Sequence, residues 1–144
     1  IPTAEEYFKG EIPKHESVSQ FMTDGDIFYH AREFAKMHVK AALEAKGISA
    51  EVINIHTIKP LDEEAILKSL AKTKCIVTAE EHNILGGLGE SVSRVLALHH
   101  PAPQEFVAVN DSFGESGTPE QLMEKYKLNN QAIVAAAEKV IQRK

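Results

Sequence analysis

Three short apolar runs, "AEVINIH" (50–56), "KCIVTAE" (74–80) and "EFVAVN" (105–110), are separated by stretches whose apolar residues recur at helical spacing. β-branched runs of this length read as strands, and the stretches between them as helices laid on a sheet. Strands that alternate with helices are joined by crossovers, which make neighbouring strands parallel. The chain is therefore expected to be an α/β protein, a three-layer α/β/α sandwich.

The helical stretches can be bounded from the same sequence. From Glu33 to Lys46 the apolar positions Phe34, Met37, Val39, Ala41, Ala42 and Ala45 fit one face, and Gly47 is a natural helix terminator. Asp62 is a candidate N-cap for a short helix carrying Ala65, Ile66, Leu67 and Leu70. A further helix is expected over 88–98, and two more at about 118–126 and 129–142. Towards the N-terminus, "ESVSQFM" (16–22) alternates like a half-exposed strand, and "TDGD" supplies turn residues before "DIFYHA". Residues 1–15, with two prolines, a glycine and no sustained period, read as a linker or N-terminal arm, leaving 16–144 as the folded domain.

Bulk properties narrow the function classes. A chain of 144 residues is the size of one ordinary domain. Its net charge of -5, without a basic cluster, argues against nucleic acid as a partner. No apolar run approaches the roughly 18 residues that span a bilayer, so no membrane role is expected. The one cysteine, Cys75, lies in an apolar run with no cation beside it, and it reads as a small buried hydrophobe in a reducing, cytoplasmic setting.

Chemistry in such sheets gathers outside the carboxyl ends of the strands, where the strand order reverses. Here those ends deliver His30 and Arg32, His56, the trio Glu80, Glu81 and His82, and Asn110 with Asp111. Glu81 and His82 suit acid/base or metal-ligand work, yet no HExxH or paired Cys/His spacing accompanies them. Loop or interdomain contact is the alternative. His99 and His100 precede Pro101 at a helix end, where side chains of this type satisfy the last carbonyls. In "AEEHNILGGLGES" (79–91) the glycines Gly86, Gly87 and Gly89 make neither the GxGxxG fingerprint nor a P-loop. They permit a tight turn and expose N–H groups at a helix start, a place that attracts an anion.

Three ordered stretches carry a resemblance. "ISAEVINIHTIKPLDEEAI", "IVTAEEHNILGGLGESVS" and "VNDSFGESGTPEQLMEKYKL" resemble the C-terminal domain of transketolase, the match covering roughly residues 47 to 143. Similar domains close the 1-deoxyxylulose-5-phosphate synthases and the beta subunits of 2-oxoacid dehydrogenases, and "TIKPLD" and "SGTPEQL" favour transketolase among them. The resemblance implies a mixed five-stranded sheet whose first strand runs antiparallel to the rest, with "DIFYH" between "AEVINI" and "CIVTAE". Residues 26 to 46 depart from the family pattern, which has small residues and a glycine where this chain reads "DIFYHAREFAKMHVKAALEAKG".

The family moves a two-carbon ketol unit between sugar phosphates with thiamine diphosphate and magnesium. It binds both in separate diphosphate-binding and pyrimidine-binding domains, whose motifs have no match here. The resemblance thus implies a non-catalytic, dimer-supporting domain that binds no cofactor or metal itself, partnered by those two domains in a homodimeric enzyme of the pentose phosphate pathway. A regulatory module binding a small anion or metabolite is the alternative, with Glu81, His82, Gly86, Gly87, Gly89, His30 and His56 as its candidate contacts. A third reading, an independent acid/base enzyme using His30, His56, His82 and Glu81, lacks a nucleophile with an adjacent base.

Overall fold

The computed structural model describes residues 36–144. Helix α1, over 36–44 among these residues, buries Leu43 and ends in a turn at 45–47. Gly47 takes φ +71 there, a left-handed conformation that side chains disfavour, as expected of the glycine that stops this helix.

Helix α2 (Glu63–Thr73) starts where the sequence places it, with the Asp62 carboxylate accepting from the Ala65 N–H at 3.0 Å. It ends at Lys74, whose N–H donates to the Leu70 carbonyl at 2.9 Å. Strand β1 (Ile76–Asn83) follows, then helix α3 (Leu88–His99) and strand β2 (Gln104–Val109). Helix α4 (Pro119–Lys125) is opened by a capping box in which Thr118 and Gln121 exchange side-chain and backbone bonds. Helix α5 (Asn130–Ile141) is capped by the Asn129 side chain, which accepts from the Ala132 N–H at 3.0 Å.

The two strands pair in parallel, Ile76 opposite Gln104 and Ala79 opposite Val107, with an irregularity before Asn83 meets Val109. A parallel pair requires a crossover, and α3 supplies it. Because side chains alternate across a strand, Thr78, Glu80 and Phe106 face α3, while Glu105 faces α5. Helices on both sheet faces make the α/β layering expected. The main core joins α2 to α3 through Ile66, Leu70, Val92 and Leu96, with Ile55, Leu61 and Ile76 against it. Behind β2, the buried set includes Val107, Ala108, Ala137 and Val140.

Three expectations are met in part or need correction. Residues 50–56 form no strand; the nearest pairing is an isolated bridge between Ile58 and Leu61. β-branched composition favours an extended backbone, but a strand exists only where a neighbour takes its N–H and C=O groups. The segment expected beside it, "DIFYH", lies outside the described residues, as do 1–15 and 16–22. Second, of the expected five-stranded sheet the described residues show a two-stranded parallel part. Third, Cys75 is half-buried rather than enclosed, because it precedes β1 at the turn leaving α2, with its Sγ 3.7 Å from the Thr73 carbonyl oxygen.

Candidate functional site: the carboxyl edge of the sheet

β1 and β2 end side by side, so the loops that follow them share one edge of the sheet. The first loop contains the glycine cluster. Helix α3 opens with Gly87 at its N-cap, which has no side chain to satisfy the first N–H groups. Glu80 does this instead. Its carboxylate reaches from β1 across the turn and accepts from Leu88 N–H at 2.7 Å and Gly89 N–H at 2.8 Å. From the other side Glu90 accepts from Gly86 N–H at 2.8 Å. The positive end of the helix thus holds two carboxylates of its own chain.

Each glycine has a separate reason. Gly86 sits at φ +79. A Cβ at Gly87 would overlap the Glu80 carboxylate, and one at Gly89 would meet the Phe106 ring at 2.5 Å. Close approach of α3 to the sheet, rather than nucleotide binding, requires these small residues. Beneath the turn, Ser93 Oγ donates to Gln104 Oε1 at 2.8 Å, and Gln104 Nε2 donates to the Gly89 carbonyl at 3.0 Å and to Thr78 Oγ1 at 3.3 Å. This network fixes the first turn of α3 to both strands.

The sequence grouped Glu80 with Glu81 and His82 at this strand end but, of the three, gave candidate contacts only to Glu81 and His82. Both of these are exposed, and the His82 ring lies 2.8 Å from the Asn83 carbonyl oxygen. His56 lines an open depression of about 460 Å³ with Ile55, Thr57, Pro60, Leu61 and Asp62, apart from the glycine turn. His30 lies outside the described residues. Gly87 and Gly89 are brought to Glu80 and Gly86 to Glu90, and the N–H groups of Leu88 and Gly89, where an external anion was expected, are taken by Glu80. A period-two reading was the signal available: Thr78 and Glu80 share a face of β1, and Glu81 has the other. At the far end of α3, the last turn is closed by the His100 backbone N–H on the Leu96 carbonyl at 3.0 Å. The His99 ring turns instead to Glu63, 3.5 Å away, which also accepts from Arg94 at 2.8 Å.

The second loop, after β2, is tied to the first and to α4. Asn83 Nδ2 donates to Asp111 at 3.4 Å, Tyr126 Oη donates to the Phe113 carbonyl at 3.2 Å, and Lys125 pairs with Glu115. Among the described residues no group of three or more His, Cys, Asp or Glu is placed to hold a metal ion. None of the described helices is long and apolar enough to cross a membrane.

The family model described as "Transketolase, C-terminal domain" matches residues 26–133. The chain belongs to the transketolase C-terminal domain family. Within that family it is 47% identical over 102 residues to the 6-deoxy-6-sulfo-D-fructose transketolase subunit SqwH of a Clostridium species, covering 71% of this chain and 32% of that protein. It is 32% identical over 131 residues to 1-deoxy-D-xylulose-5-phosphate synthase of Heliobacterium modesticaldum, covering 90% of this chain and 19% of that one. Among solved structures, a split gene transketolase described as an inactive beta4 tetramer superposes with a TM-score of 0.70 at 44% identity, over 74% of this chain and 35% of that one. The transketolase C-terminal domain described here thus spans about a third of the length of the transketolase relatives it matches.

Proposed function

We propose that this domain serves a thiamine diphosphate-dependent transketolase as a non-catalytic part, carrying structure and assembly while the ketol-transfer chemistry resides in the diphosphate- and pyrimidine-binding domains. The supporting observation is the use made of the sheet edge. Its helix N-terminus, a place to which a diphosphate would be drawn, is filled by Glu80 and Glu90. Nor do the described side chains form a donor set for magnesium. The described residues at this edge do not fit the cofactor or its metal, and no reaction step is assigned to them.

The parent reaction in this reading is transfer of a two-carbon unit between sugar phosphates, in a homodimeric cytoplasmic enzyme of the pentose phosphate type. The expected mixed sheet, larger than the two described strands, belongs to the same proposal. Titration of the chain with thiamine diphosphate and magnesium by calorimetry tests it. Absence of heat at cofactor concentrations that saturate the parent enzyme is expected. Tight binding to this chain would overturn the assignment.

A further inference from the structure

Two large apolar side chains stand in solvent at the carboxyl edge of the sheet: Phe113 is 97% exposed and Leu85 55%. Isolated apolar residues on a surface are ordinary, but an aromatic ring almost wholly in water on an anchored loop is not. The Phe113 carbonyl is held by Tyr126, its loop by the Lys125–Glu115 pair, and the Leu85 N–H by Asn83 Oδ1 at 2.9 Å. The Asn83–Asp111 bond links the two loops. Both apolar side chains are thus presented by hydrogen-bonded backbone at the ends of adjacent strands.

Among the described residues, these two loops carry charge of one sign. Residues 80–93 and 110–124 contain no Lys or Arg, while exposed Glu81 and Asp111 precede the two apolar positions by four and two residues. Lys125, at the end of the helix that follows the second loop, is paired with Glu115. A two-fold contact between copies through this edge would set acid against acid, because an isologous interface joins a patch to itself. Opposite charge steers and selects a different surface.

From this we infer that Leu85 and Phe113 are apolar anchors that dock into a basic-rimmed socket on another domain of the parent enzyme, and that this edge is not a contact between two copies of the present domain. The inference rests on the proposed reading of the domain as one part of a larger thiamine-dependent enzyme. It adds which face does the docking and what chemistry receives it.

The test is solvent access to residue 113. Phe113→Cys in a Cys75→Ser background is labelled with a maleimide, both in this 144-residue chain and in the complete enzyme. The position is exposed in the domain, so the substitution leaves the core untouched. Labelling about tenfold slower or more in the complete enzyme is expected, as for an anchor from which water is excluded. That protection should weaken as salt rises to about 0.5 M, where charge pairing across the rim is screened. Equal labelling in both forms overturns the inference, as does protection that ignores salt. Protection that grows with the concentration of the 144-residue chain alone assigns the face to a second copy and overturns it too. None of these results depends on thiamine binding, so the inference and the proposed function fall separately.

Discussion

Replacing Glu80 with alanine removes both acceptors from the start of α3, where the N-cap is a glycine without a side chain. Hydrogen bonds to a charged group contribute about 1.5–3 kcal/mol, and loss of a side-chain cap costs about 1 kcal/mol. These figures describe the same two N–H groups and do not add. Glu80 is half-buried, so water can replace part of what is lost, and a destabilisation of about 2 kcal/mol follows. For a domain of this size that lowers Tm by about 8 °C. Glu80→Gln keeps one acceptor and sheds the charge, so its loss should be about half as large. Urea unfolding of wild type and both variants, with m values compared to confirm that the same surface unfolds, measures the differences. If Glu80→Ala unfolds within about 0.5 kcal/mol of wild type, as ordinary surface changes do, the carboxylate is not what satisfies this helix.

Three further outcomes follow from the same geometry. Gly87→Ala drives a methyl group into the Glu80 carboxylate, so it should destabilise on its own and much less in the Glu80→Ala background, a coupling that a double-mutant cycle reads directly. Leu70→Ala opens a cavity in the α2–α3 core and should cost about 2–5 kcal/mol in urea unfolding. Glu105 is held below the ordinary carboxylate value of 4.5, first by its bond to Lys139 at 2.7 Å and then by Arg143, against the opposing pull of its burial. A carboxyl group depressed in the folded state stabilises fully above its unfolded value and loses that contribution as pH falls below about 4.5 towards the folded one. Thermal melts from pH 7 to pH 3 should therefore fall more steeply for wild type than for Glu105→Gln; parallel curves would show that the Lys139 clamp contributes nothing.

What was legible in the sequence follows the range of the interactions concerned. Asp62, Thr118, Asn129 and Gly47 act on backbone within a turn of themselves, and the helix ends they mark lie within one or two residues of expectation. β1 and β2 were readable as short apolar runs, because each finds its partner in the other. "AEVINIH" carries the same composition without a described partner, and composition alone forms no ladder. At the sheet edge, the glycines, Glu81 and His82 drew attention as residue types that bind things. Glu80, one position away, makes the observed bonds because strand alternation aims it at α3 while Glu81 points to the opposite face. Reading side-chain direction along β1 finds it; reading residue type does not.

That difference bears on how strand-to-helix glycine turns are interpreted. A helix N-terminus with exposed N–H groups attracts negative charge from any source, and the nearest source is the strand that leads into the turn. When the last inward position of that strand is an acid, its effective concentration at the helix start exceeds that of any dissolved anion, since the backbone already holds the two ends together. The small residues then follow from the packing: Gly87 leaves room for the carboxylate, and Gly89 for the Phe106 ring on which α3 rests. In this domain the pattern makes "EEHNILGGLGE" a self-satisfied joint. Recognition is displaced to the residues the joint leaves pointing outward, Leu85 at its crown and Phe113 on the neighbouring loop.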